Sequence, residues 1–148
     1  MSHICFAQTD TLQASKVKVK YRNNTFTAKY ISSDSTYIGY FKKSELELHY
    51  YEIGYLKTVY LFNKNNKNIK RFLSYNTSGD LIEEGKYHNA FKIGDWKYYN
   101  KVTGQLICIG SFYKNKKNRK WKYYDENKKL IRIETYRDDK LLETYCIK

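Results

Sequence analysis

The feature that most constrains the fold is a repeat. Residues 94–99 read Gly-Asp-Trp-Lys-Tyr-Tyr and residues 119–124 read Arg-Lys-Trp-Lys-Tyr-Tyr, with Trp121 25 positions after Trp96. Steps of 24 lead back to Phe72 and Leu48 and on to Tyr145. Three more series keep phase with the first: Tyr51, Tyr75, Tyr99, Tyr124; Leu56, Leu81, Leu106, Leu130; and Phe62, Tyr87, Phe112, Tyr136. A fixed period of this length marks a stack of similar units, each too small to bury its apolar side alone.

The unit reads as β. Leu106, Cys108, Gly110 and Phe112 alternate with Ile107, Ile109 and Ser111, the spacing that separates the two faces of a strand. A short aromatic strand, Trp96 to Tyr99, turns near Gly104 into the longer strand Leu106 to Phe112. An eight-residue polar loop is then expected before the next Trp position. No Pro interrupts the chain, so every backbone donor is available to a ladder. Seventeen Tyr, seven Phe and two Trp supply the core, because a Tyr ring covers a sheet while its hydroxyl stays wet. A lone hairpin is marginal in water, so the units must pair side by side. The expected fold is all-β: an elongated antiparallel meander of repeated β-hairpins with a period of about 24–25 residues.

The first third fits the period less well. Residues 1–10 read as a frayed terminus or the remnant of an export signal around Ile4-Cys5-Phe6-Ala7-Gln8; the remnant reading favours an exported or periplasmic protein over a cytoplasmic one. Residues 11–47 read as N-terminal hairpins or a cap, with Lys16–Tyr21 and Thr25–Tyr30 joined through Asn23-Asn24. Residues 48–148 carry the repeats. Cys5, Cys108 and Cys146 have no metal spacing and form no disulfide framework, so Cys108 and Cys146 are expected as buried thiols.

Within the repeat, Tyr87-His88-Asn89-Ala90-Phe91-Lys92-Ile93-Gly94-Asp95-Trp96-Lys97-Tyr98-Tyr99, followed by Gly104-Gln105-Leu106, resembles the variant MORN repeats of YwqK-type antitoxin proteins. Residues 112–124 are a second copy and Tyr136–Lys140 a partial third. The first glycine of that pattern is replaced by Ala90, Asn115 and Asp139, and the second is kept as Gly94 but becomes Arg119, so reshaped loops are expected there. The resemblance implies a binding scaffold, an antitoxin or immunity protein that blocks a toxin by covering it.

Charge supports an acidic partner. Lys+Arg outnumber Asp+Glu by 28 to 15, a formal net charge of +13. Lys114, Lys116, Lys117, Arg119, Lys120 and Lys122 surround Trp121 with no acid among them, and Lys64, Lys67, Lys70 and Arg71 recur earlier. This run is either a solvated edge that keeps sheets apart or a docking surface for an acidic protein. Trp96 and Trp121 read as core, while Tyr99 and Tyr124 fall on the opposite strand face. The expected partner-binding set is Tyr99, Lys116, Lys117, Arg119, Lys120, Lys122 and Tyr124. An anionic surface, phospholipid or nucleic acid, ranks below a protein partner, and a structural role in the cell envelope is a further alternative. No catalytic order, phosphate loop or metal-ligand spacing is present in the sequence, so no catalytic residue, metal or cofactor is expected. Glu83 and Glu84 should lie on opposite faces and cannot work as a carboxylate pair.

Overall fold

The computed structural model describes residues 16–21, 24–30, 36–41, 44–50 and 56–147, with side chains described at 47–49 and 56–147. The remnant reading of residues 1–10 and Tyr51 of the second series fall outside the described residues. The described chain is all-β and forms one twelve-stranded sheet: β1 (Lys16–Tyr21), β2 (Asn24–Tyr30), β3 (Thr36–Phe41), β4 (Ser44–Tyr50), β5 (Leu56–Phe62), β6 (Ile69–Tyr75), β7 (Leu81–His88), β8 (Phe91–Tyr99), β9 (Leu106–Tyr113), β10 (Lys116–Tyr124), β11 (Leu130–Arg137) and β12 (Lys140–Cys146). Spatial order equals chain order, and every pairing is antiparallel. The sheet is therefore an open meander, as the repeat predicts.

Two kinds of turn alternate. At one end β7–β8, β9–β10 and β11–β12 are joined by two residues. Lys114-Asn115 and Asp138-Asp139 both take positive φ (49° and 69° in each pair), the mirror-image turn that matches strand twist. In the third, only Asn89 does (φ 53°), because Ala90 gains nothing from the left-handed region. At the other end an Asn or Asp opens the β6–β7, β8–β9 and β10–β11 turns and its carboxamide or carboxylate oxygen accepts backbone N–H groups. Asn76 Oδ1 takes Ser78 and Asp80, Asn100 Oδ1 takes Val102 and Thr103, and Asp125 Oδ1 takes Asn127 and Lys129.

The expected polar loop is strand. Residues 116–120 belong to β10 and 91–95 to β8, so each Trp strand is nine residues long. The sequence hides this because Lys, Asn and Arg are poor strand formers by themselves. Here they are held by neighbours on both sides.

Cross-strand partners share a face, which sorts the side chains. Tyr60, Phe72, Tyr87, Trp96, Phe112, Trp121 and Tyr136 make one continuous row of ring contacts, with centroids 5.0–6.3 Å apart from each to the next. This is the aromatic face, and Trp96 and Trp121 are buried in it at 0% and 3% exposure.

Glycine makes the seats for those indoles. Between the pairs Glu84↔Lys97 and Lys86↔Ile93, β8 carries two residues more than β7, and Gly85 faces the excess. Between Ser111↔Asn118 and Ile109↔Lys122, β10 does the same opposite Gly110. The extra residues lay each indole on the preceding strand. A Cβ on Gly85 would stand 2.2 Å from Trp96 Cδ2, and one on Gly110 2.0 Å from Trp121 Cδ2. The backbone turn within the excess needs positive φ, met by Gly94 at 61° and by Arg119 at 62°. Arg119 therefore keeps the glycine conformation, and the reshaped loop expected there is not formed.

The first series holds only for Phe72, Trp96 and Trp121. Leu48 pairs with Val59, and Val59 with Leu73, on the face opposite Phe72; all three are buried. At the far end β12 has one extra residue against β11, not two, so Thr144 faces Glu134 and Tyr145 pairs with Ile133 on the other face. Tyr145 is 62% exposed. A period counts residues in strands, bulges and turns alike, whereas facing depends on how many lie in each. Cys108 is buried as expected, but Cys146 is exposed, since β12 has a neighbour on one side only.

Candidate partner-binding face

The expected basic loop, being strand, divides its side chains between two faces. Lys117 pairs with Phe112 and lies on the aromatic face, its ammonium 4.4 Å from the Trp121 ring centroid and 4.7 Å from that of Tyr136. It repeats a pattern. Lys92 pairs with Tyr87 and sits 3.8 Å over Trp96, and Lys70 pairs with Phe62 and sits 4.1 Å over Tyr60. These lysines close the aromatic row by cation–π contact and their stems cover ring surface. Lys117 is thus a packing residue. Lys70 and Arg71, read as part of a basic loop, are strand residues of β6 with partners of their own.

Arg119 pairs with Tyr136 and is exposed on the same side as Lys117. The other five expected residues gather on the opposite face. Lys116 pairs with Tyr113, Lys120 with Thr135, and Lys122 lies between Ile109 and Ile133; all three lysines are exposed. Lys120 and Lys122 are two residues apart on one strand, about 6.5 Å by strand rise. Tyr124 and Tyr99 are half-buried at the far end of β10 and β8. Ile107 and Tyr113 of β9, 41% and 56% exposed, and Ile131 of β11 at 40% add apolar surface in the strands on either side of β10. Among the described residues, no carboxylate forms an ion pair with Lys116, Arg119, Lys120 or Lys122.

Two carboxylates organise the flanks, and the sequence reading missed both roles. Glu84, on the face opposite the Trp residues, accepts from Arg71 Nη2 at 2.7 Å, Tyr99 OH at 2.7 Å and Lys97 Nζ at 3.2 Å. Burial alone would raise its pKa. The bonds from Arg71, Tyr99 and Lys97 outweigh that and bring it down to about 2. Tyr99 is pushed up in turn, by burial and by its bond to the Glu84 carboxylate. On the aromatic face Glu134 accepts from Tyr123 OH at 2.6 Å and Tyr136 OH at 2.9 Å, and forms an ion pair with Arg132, whose Nε lies 3.1 Å away. Glu83 accepts Lys92 Nζ at 2.6 Å on that same face, so Glu83 and Glu84 do serve separate faces. The Gly85 to Trp96 and Gly110 to Trp121 spacings, both 11, were the legible sign of the indole seats.

The remaining titratable groups do not converge. His49 Nε2 is 2.6 Å from Glu47 Oε1, and His88 is exposed at the end of β7. Among the described residues, no group of three His, Cys, Asp or Glu is placed to hold a metal. Burial pushes the Cys108 thiol up to about 11. A scan against protein-family models finds no match to this chain, and a search of curated proteins finds none.

Proposed function

We propose that this chain is a non-enzymatic binding scaffold that holds an acidic protein against the face bearing Lys116, Lys120, Lys122, Tyr99 and Tyr124, in the manner of an antitoxin or immunity protein. The observation that carries the reading is the composition of that face. Three exposed lysines with no carboxylate paired to them stand beside exposed Ile and Tyr side chains. Charge speeds encounter with an acidic surface, and ring and aliphatic contacts supply affinity once water is expelled. Lys117 and Arg119 drop out of the contact set, because they lie on the aromatic side.

The experiment is co-expression with the protein encoded beside it, followed by purification through a tag on the present chain. Recovery of that neighbour, and its loss in Lys116→Glu/Lys120→Glu/Lys122→Glu, is the expected result. Undiminished recovery with the triple variant would remove this face from the account. A phospholipid or nucleic-acid ligand would instead show binding that collapses with added salt in proportion to the phosphates contacted.

A further inference from the structure

The two edges of the sheet differ. β1 reads Lys-Val-Lys-Val-Lys-Tyr, with a lysine at every second position, a composition that deters a further strand. β12 reads Lys-Leu-Leu-Glu-Thr-Tyr-Cys, with one lysine at its end and no proline. Every residue of β12 is exposed, including Leu141 at 48%, Leu142 at 51% and Tyr145 at 62%. Its backbone is also half-used. Ile147 donates inward to the Ile131 carbonyl at 2.8 Å, and alternation from there turns the amides of Thr144 and Cys146 outward.

The repeat shows what such an edge accepts. Lys92, two residues past its hairpin turn, donates its N–H to Asn115 Oδ1 at 2.6 Å and accepts from Asn115 N–H at 3.1 Å. Lys117, two past the next turn, makes the same pair with Asp139, at 2.7 and 3.0 Å. Leu141 holds that position after the turn Asp138-Asp139, with no later strand among the described residues to answer it. Asp139 demonstrates that a carboxylate serves as well as a carboxamide.

We infer that the β12 edge, through the peptide groups of Leu141, Thr144 and Cys146, receives an extended acidic segment of the partner protein as a thirteenth strand, with an Asp or Asn of that segment bonded to Leu141. Addition of a strand to an open edge gives affinity through main-chain bonds and specificity through alternate side chains. Charge selects the occupant. A second copy would bring another +13, whereas an acidic strand is drawn by that net charge and meets Arg137 and Lys140, exposed beside the edge, its own carboxylates kept clear of the equally exposed Asp138, Asp139 and Glu143. This inference rests on the acidic-partner reading, and it adds the route by which the partner is held.

The test uses the full chain and a nine-residue peptide that opens on Asp and alternates Val with Glu. Amide hydrogen exchange is followed by NMR. The expected result is at least tenfold slower exchange at Leu141, Thr144 and Cys146 on adding peptide, with β1 amides unaffected. Thr144→Pro, which removes an outward donor and leaves the inward ladder, should weaken binding at least tenfold. Should that variant unfold β12, Leu141→Glu sets a like charge against the acidic segment without touching the backbone and should have the same effect. No slowing at these amides, or equal slowing by a peptide with Lys in place of Glu, overturns the inference. Slowing that follows protein concentration without peptide also overturns it, in favour of a second copy. If edge amides are protected but Lys116→Glu/Lys120→Glu/Lys122→Glu binds as well as the parent, the face reading fails and the edge stands. If that variant weakens binding while edge amides exchange freely, the edge fails and the face stands.

Discussion

Glycine, arginine and glutamate at three kinds of position decide how the repeat closes. Gly110 has an ordinary extended backbone, so only space demands glycine there, and a methyl group would strike the Trp121 ring. Gly110→Ala should lower stability by about 1–3 kcal/mol, seen as an earlier urea midpoint. Positions 94 and 119 instead need positive φ, one met by glycine and one not. Arg119→Gly should therefore raise the midpoint by the equivalent of about 0.5–1 kcal/mol, while Gly94→Ala should lower it by a similar amount. Acid should act through Glu84. Its carboxyl is depressed to about 2 in the folded chain, so its contribution is complete above the ordinary carboxylate range near 4.5 and is lost as pH falls toward 2. A denaturation series across that window should show stability falling with acid, and Glu84→Gln should flatten it. Part of the slope should remain, because Tyr123, Tyr136 and Arg132 depress Glu134 as well, against its burial.

Hairpins are joined to their neighbours by side-chain bonds between tips as well as by strand pairing. Asn115 reaches Lys92 and Asp139 reaches Lys117 at one end, and Asn76 Nδ2 donates to the Lys101 carbonyl at 2.7 Å at the other. Asp139→Ala should cost about 1 kcal/mol and raise exchange in β11 and β12 before β7 and β8. Strand type and order were legible in the sequence, because period-2 alternation and a common repeat length speak to local geometry. Facing was legible only where each unit has the same bulge. β8 and β10 share a two-residue excess, so Trp96 and Trp121 match; β12 has one residue of excess, and Tyr145 turns to the other face. The expected binding set was divided by plain alternation, because the stretch read as a loop is strand. Lys116, Lys120 and Lys122 stayed together, while Lys117 left them to cover Trp121, a role no run of charges announces. Glu134 stands opposite Trp121 where Gly110 stands opposite Trp96. With Thr144 opposite it, the last hairpin has neither indole nor seat, and the aromatic row ends in a polar cluster.

Twelve strands in chain order make a molecule whose contacts are mostly between neighbouring strands, with rings such as Phe72 and Trp96 reaching one strand further. At about 4.8 Å per strand the sheet extends roughly 50 Å across its strands. Small-angle scattering should thus give a radius of gyration clearly above the roughly 15 Å of a compact domain of this length. Successive Trp strands each seat an indole on a glycine of the strand before. The proton shifts of Gly85 and Gly110 test this seating most directly, since an aromatic ring stacked on a backbone moves the protons beneath it upfield. Both glycines should have Hα signals displaced upfield from other glycines, and Trp121→Leu should return Gly110 alone to the ordinary range. Ordinary shifts at both glycines in the folded parent chain would contradict it.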